Sequence, residues 1–166
     1  GWKSLIEGIL KMGIFIGYLA LITRMKEIHR VFQYHGAEHK TIFCYENGLP
    51  LTVENVKKQK RFHPRCGTSF MILMLILSIL VSSLMTWDSL WLRTVLKIAS
   101  LPLVMGIGYE LIKIAGRYDN ILTKIISWPG LMLQRLTTFE PEDDQMEVAI
   151  ASMLPVIPEN RDEDRW

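Results

Sequence analysis

The sequence contains an uninterrupted apolar run, Phe70 to Met85, whose most polar side chains are three serines. Adding the two neighbours on each side lengthens the run to twenty residues, enough for a helix to cross about 30 Å of hydrocarbon. The alternative, a buried helix of a soluble bundle, would need a polar face that this segment lacks. We therefore predict a transmembrane helix over 68–87.

Two further apolar runs extend this prediction. The run 95–114 carries Lys97 and Lys113 near its ends, where lysine side chains can reach the membrane interface. The run 9–23 is shorter, so a soluble core helix or an amphipathic helix in the interface stays open there. Since 49% of the residues are hydrophobic, we predict an all-α membrane protein with three transmembrane helices, at about 5–23, 68–87 and 95–115.

The distribution of basic residues predicts the orientation in the membrane. The segment 24–67 holds nine Lys and Arg against four Glu, whereas 88–94 holds only Asp88 and Arg93. By the positive-inside rule, 24–67 is cytoplasmic, and a turn near Trp87 returns the chain so that 116–166 is cytoplasmic as well. Three tryptophans could either anchor the protein at the membrane interface or pack in its interior, and the sequence leaves both possibilities open. They are Trp87, Trp91 and Trp128.

We expect one membrane-embedded domain, 1–154, with helices in the tail 116–154 and a disordered acidic end, 155–166. Residues 137–166 carry nine Asp and Glu against two Arg, so this acidic block can attract the basic segment 24–67. Because Gly1 is not a start methionine, the chain is expected to be a trimmed piece.

Local signals place the shorter elements. The residues 47–50, Asn-Gly-Leu-Pro, should end a helix that carries the first histidines. Thr52 is a candidate N-cap for a helix over 53–61. Pro129 and Pro141 are predicted to open two helices in the tail.

A dense group of metal-ligand residue types lies between Tyr34 and Phe70. His35 and His39 are four residues apart and therefore project from one face of a helix. The order H-x-x-E-H inverts the zincin motif, in which two imidazoles bind zinc and the Glu acts as general base. We predict His35 and His39 as metal ligands and Glu38 as the base.

His63 and Cys66 supply further candidate ligands three residues apart. Four protein ligands would make a closed structural site, and three would leave a position for water and hydrolytic chemistry. A site without metal, in which the histidines bind lipid headgroups or the acidic tail, also stays open. A nucleic-acid role has little support, since the basic run adjoins a membrane span and lacks interleaved aromatic residues.

Several strings together resemble the YqhQ-like family of bacterial membrane proteins. They are Tyr-His-Gly-Ala-Glu-His-Lys-Thr-Ile (34–42), Leu-Thr-Val-Glu-Asn-Val (51–56), His-Pro-Arg-Cys-Gly-Thr-Ser-Phe (63–70), Tyr-Glu (109–110), Pro-Gly-Leu-Met-Leu-Gln-Arg-Leu-Thr-Thr (129–138) and Glu-Pro-Glu-Asp-Asp-Gln-Met-Glu-Val-Ala (140–149). The resemblance implies a metal-dependent enzyme of the bacterial inner membrane, with an additional N-terminal region. It also implies that His35, Glu38, His39, His63 and Cys66 match the candidate site.

Three functional hypotheses follow. The first is a membrane-bound hydrolase that uses a divalent metal, zinc, at the cytoplasmic face, with membrane lipid as its surroundings. The second is a non-enzymatic, metal-stabilised scaffold that recruits a protein partner through 129–150. The third is a transporter component built around Glu110, a carboxylate inside the third apolar run.

Overall fold

The computed structural model describes residues 2–84, 89–118 and 120–159, and over these ranges it contains helices and no strand. Seven α-helices and a final 3-10 turn follow one another: α1 (Trp2–Ile22), α2 (Lys26–Glu46), α3 (Val53–Lys57), α4 (Gly67–Leu84), α5 (Leu90–Arg117), α6 (Ile121–Thr137), α7 (Asp143–Met153) and the turn Leu154–Val156. The predicted all-α class is confirmed. The predicted disordered end falls mostly on 160–166, outside the described residues.

Three of these helices, α1, α4 and α5, are long and apolar enough to cross a membrane. The third begins at Leu90, five residues before its predicted start, because Ser89 Oγ accepts a hydrogen bond from the Leu92 backbone N–H at 3.5 Å and caps it. The predicted turn and anchor at Trp87 lie outside the described residues. Trp91, Trp128 and Glu110 are exposed, and their proposed roles stay predictions.

Two of the local signals in the basic segment are confirmed. The helix α2 ends at Glu46, and Gly48 follows with φ of 68°, a conformation that glycine adopts at little cost. The Thr52 hydroxyl accepts a hydrogen bond from the Asn55 backbone N–H at 3.4 Å, as expected of an N-cap. The helix that it caps is shorter than predicted and ends at Lys57.

The prediction that Pro129 opens a helix is wrong, because α6 begins eight residues earlier and holds this proline in its interior. Asn120 provides the start instead. Its side-chain oxygen accepts from the Thr123 backbone N–H at 2.9 Å, and the Thr123 hydroxyl accepts from the Asn120 N–H at 3.1 Å. This reciprocal pair satisfies two N–H groups at the start of the helix. In contrast, Pro141 lies close to a true start, since α7 begins at Asp143.

The chain divides into two compact units. Unit 1 comprises the residues up to Leu19 together with Pro64–Leu133, and it holds most of the three apolar helices. Within it, α4 and α5 pack closely at Gly108, where a Cβ atom would lie 2.9 Å from Met74 Sδ and 3.2 Å from Phe70 Cε2. Glycine at this position therefore lets the two helices approach.

Unit 2 comprises Ala20–His63 and the residues from Gln134 onward. Its buried core joins α2, α3 and α7 through five residues: Ala37, Cys44, Val56, Met146 and Ala149. Around this core the basic segment meets the acidic one, as the charge pattern predicts. The ion pairs are Arg30–Asp144 at 3.5 Å, Lys57–Asp143 at 2.8 Å, Lys40–Glu140 at 2.6 Å and Arg61–Glu140 at 3.7 Å.

Candidate metal centre

Two histidines of α2 lie one helical turn apart in unit 2, as their spacing predicts. The rings of His35 and His39 are 4.3 Å apart between centroids and meet edge to face. His35 Nδ1 lies 2.7 Å from the Thr137 carbonyl oxygen, and His39 Nδ1 lies 2.6 Å from the Arg61 carbonyl oxygen. His35 is half-buried and His39 is buried.

These two contacts decide the tautomer of each ring. A carbonyl oxygen only accepts hydrogen bonds, so we assign the proton to Nδ1 in both histidines. The lone pair of each ring is then on Nε2. Histidines that bind metals are oriented in the same way, with the other ring N–H donated to a carbonyl or a carboxylate. The arrangement of His35 and His39 therefore suits two metal ligands.

The third candidate histidine, His63, belongs to the same unit and is buried. Its ring centroid lies 5.9 Å from that of His39 and 4.6 Å from that of Phe43. Its Nε2 is 3.3 Å from Glu46 Oε2. A neutral ring can donate from Nε2 to this carboxylate, and such a pair can hold or pass a proton.

Gln134 fixes the backbone at His63. Its side-chain oxygen accepts from the His63 N–H at 2.8 Å, and its side-chain nitrogen donates to the His63 carbonyl oxygen at 2.7 Å. The glutamine has no solvent exposure. Because both backbone groups bind the same amide, the position of His63 relative to Gln134 is tightly defined.

A network of ion pairs stabilises the backbone segment around Arg61, whose carbonyl group orients His39. The buried ammonium of Lys40 donates to the Lys57 carbonyl oxygen at 3.1 Å and pairs with Glu140 at 2.6 Å. Glu140 also pairs with Arg61, whose carbonyl oxygen accepts the hydrogen bond from His39 Nδ1. The acidic segment thus stabilises the backbone that orients a candidate ligand.

The two cysteines have different surroundings. Cys44 lies in the core of unit 2, with Sγ 3.5 Å from the Pro50 carbonyl oxygen, and burial raises the pKa of its thiol. Cys66 belongs to unit 1, is buried, and has Sγ within 3.2 Å of Thr68 Oγ1 and 3.4 Å of the Thr68 backbone nitrogen. The Thr68 N–H can stabilise a thiolate there, the form that binds metals.

The two candidate carboxylates are also placed differently. Glu38 is exposed, although its neighbours Ala37 and His39 are buried. Glu46 also lies at the surface, with its side chain 33% exposed, but it contacts His63. The role of Glu38 as general base stays a prediction, and Glu46 is the carboxylate that the fold brings to a histidine.

No sequence pattern predicted the role of Gln134 or of the carbonyl groups that orient the histidines. Glutamine is usually exposed, and only a contact between residues 71 positions apart reveals its role. Backbone carbonyl groups are present at every residue, so their use at Thr137 and Arg61 depends on the tertiary fold. The candidate ligands predicted from the sequence are imidazole nitrogens and a cysteine sulfur, residue types that suit zinc.

Comparisons with known proteins give a family. Residues 1–159 match the family model described as "Protein of unknown function (DUF1385)". The chain is 47% identical over 148 residues to "Uncharacterized protein YqhQ" of Bacillus subtilis (strain 168), which covers 89% of this chain and 46% of that protein. The chain thus spans about half the length of this relative. No solved structure matches.

Proposed function

The chain belongs to the DUF1385 family, and we propose that it is a membrane protein that binds a divalent metal ion, zinc, and hydrolyses a substrate at the cytoplasmic face of the bacterial inner membrane. The observation that carries the proposal is the orientation of His35 and His39, each with Nδ1 held by a backbone carbonyl group. The three apolar helices support the membrane location.

The proposed ligands are His35, His39 and Cys66, which offer two imidazole nitrogens and one sulfur. The case for Cys66 rests on its residue type and on its place in the group of metal-ligand residue types between Tyr34 and Phe70. Three protein ligands leave one coordination position open, as in catalytic zinc sites. A bound divalent ion would supply Lewis-acid chemistry for hydrolysis.

Residues of the chain would donate and accept the proton during the proposed hydrolysis. We propose that His63 and Glu46 form the acid–base pair, since their side chains lie 3.3 Å apart and Gln134 fixes His63. The sequence also offers Glu38 for this role. Replacing a carboxylate that only moves a proton should leave the metal bound, so Glu46→Gln and Glu38→Gln should both retain it.

A second candidate is a closed, structural site with no catalytic role. It is favoured by the position of His63, whose ring lies 5.9 Å from that of His39 and can make a fourth ligand. In that case the metal would stabilise a platform, and recruitment of a partner through 129–150 would be the function.

Metal analysis of the full-length protein, purified in detergent, tests both candidates. The wild type should carry about one zinc per chain, and His35→Ala, His39→Ala and Cys66→Ala should each lose it. The matched controls are His29→Ala on the same helix and Cys44→Ala in the core, and both should retain the metal.

The His63→Ala variant separates the two candidates. Retained metal supports the open, catalytic site, and loss of metal supports the closed one. A wild-type protein without metal, or His35→Ala and His39→Ala variants that keep it, would contradict the metal centre itself.

A further inference from the structure

Unit 1 contains a cavity of about 420 Å³ between α1, α4 and α5. Apolar side chains form most of its wall, among them Met12 and Phe15 of α1, Leu75 and Ile79 of α4, and Leu101 of α5. The helices that line it are the ones long and apolar enough to span a membrane. The candidate metal ligands do not line it in the part of the chain that the structure describes.

Two cations line the same cavity, Lys11 of α1 and Lys97 of α5. They lie about 14 Å and about 10 Å from the start of their helices at 1.5 Å per residue. An ionised side chain this far inside an apolar helix costs free energy and usually has a partner or a ligand.

The carboxylate of Glu7 does not neutralise the positive charges of Lys11 and Lys97. Glu7 is the one acidic residue among the described residues of the wall, and its side chain is 3.2 Å from the Arg93 guanidinium. Arg93 also donates to the Ser4 hydroxyl at 3.1 Å, which holds the N-terminal ends of α1 and α5 together. With Glu7 paired to Arg93, the cavity keeps an excess of two positive charges from Lys11 and Lys97.

An apolar wall with an excess of positive charge is complementary to an anionic amphiphile. We propose that this cavity binds one anionic phospholipid, with its phosphate group on Lys11 and Lys97 and an acyl chain along the apolar wall. The two lysines supply the charge that an anionic head group requires. The site is independent of the metal centre, and its ligand is a component of the surrounding bilayer.

Lipid binding to the full-length protein tests the proposal by native mass spectrometry in detergent. The probes are dioleoyl phosphatidylglycerol, which is anionic, and dioleoyl phosphatidylcholine, which is zwitterionic. The wild type should retain phosphatidylglycerol in preference. The Lys11→Gln/Lys97→Gln double variant should bind it about tenfold more weakly, because two head-group contacts are lost.

The matched control is Lys3→Gln/Lys113→Gln, which removes the same charge from the same two helices at residues that do not line the described cavity. It should bind phosphatidylglycerol as the wild type does. A Lys11→Arg/Lys97→Arg variant, which keeps the charge, should also bind, and this excludes simple misfolding as the cause of any loss.

The cavity itself is tested by Ser78→Phe, which keeps both lysines and fills the space where an acyl chain would lie. This variant should lose phosphatidylglycerol. Equal binding of the two lipids by the wild type would overturn the proposal. So would a matched control as weak as the Lys11→Gln/Lys97→Gln protein, an arginine variant that does not bind, or full binding by Ser78→Phe.

Discussion

At single residues, the hydrogen bonds of buried polar groups decide the geometry of the candidate centre. The spacing of His35 and His39 was predictable, because the helical period places residues four apart on one face. The pairing of Gln134 with His63 was not, since a single sequence carries no information on which glutamine becomes buried. The exposure of Glu38 could not be predicted either. The helical spacing shows which residues share a face of α2, but not which other segments pack on that face.

The clamp at His63 leads to a prediction for Gln134→Leu. Leucine fills a similar volume but leaves the buried His63 N–H and carbonyl groups without these partners, at a cost of about 2 to 5 kcal/mol in the free energy of unfolding. Thermal unfolding of the detergent-solubilised protein, followed by tryptophan fluorescence, measures the change.

The comparison is Gln33→Leu, whose amide donates to the Glu140 carbonyl oxygen at an exposed position. It should change the free energy of unfolding by less than about 0.5 kcal/mol. Equal effects of the two variants would show that the clamp does not stabilise His63.

At the scale of helices, apolar and charged contacts contribute unequally to the stability of α7 packing. Its acidic residues were recognisable from the charge pattern, and its start near Pro141 followed from that proline and the acids after it. The prediction that Pro129 starts a helix was wrong because the start of α6 is determined by residues before this proline. The helix α6 is capped by Asn120 and Thr123, whose reciprocal hydrogen bonds outweigh a proline signal farther along the chain.

The packing of α7 predicts unequal effects of two substitutions. Met146 is 1% exposed in the core of unit 2, so Met146→Ala should cost about 2 to 5 kcal/mol through lost burial and a cavity. Asp143 pairs with Lys57 at the surface, where each side chain is 61% exposed, so Asp143→Asn should cost at most about 1 kcal/mol.

Chemical denaturation of the two variants beside the wild type gives both values. If Asp143→Asn destabilised the protein as much as Met146→Ala, the docking of α7 would depend on charge, and the interpretation of a core-driven contact would be wrong.

For the whole molecule, composition and length were enough to predict the three apolar helices, because a bilayer demands about twenty apolar residues whatever the tertiary contacts. The division into two units was not visible from the sequence. It depends on contacts between residues far apart in the chain, such as those of α2 with α7.

The orientation in the membrane leads to a labelling prediction. In a Cys44→Ala/Cys66→Ala background, Ser89→Cys should react with a membrane-impermeant maleimide added outside intact cells, because the connection between α4 and α5 is predicted to face outward. Lys60→Cys, in the basic segment, should react only after the membrane is permeabilised. The opposite pattern would reverse the predicted orientation.

The long-range bonds of unit 2 also set an order of events during synthesis. His63 binds Gln134 across 71 residues, and His35 binds Thr137 across 102. His35 and His63 therefore leave the ribosome before Thr137 and Gln134 are translated, and the apolar helices α4 and α5 are translated in between. Contacts this distant in sequence form late. If the protein binds the proposed metal ion, we expect the ion to enter only after Thr137 and Gln134 have been translated.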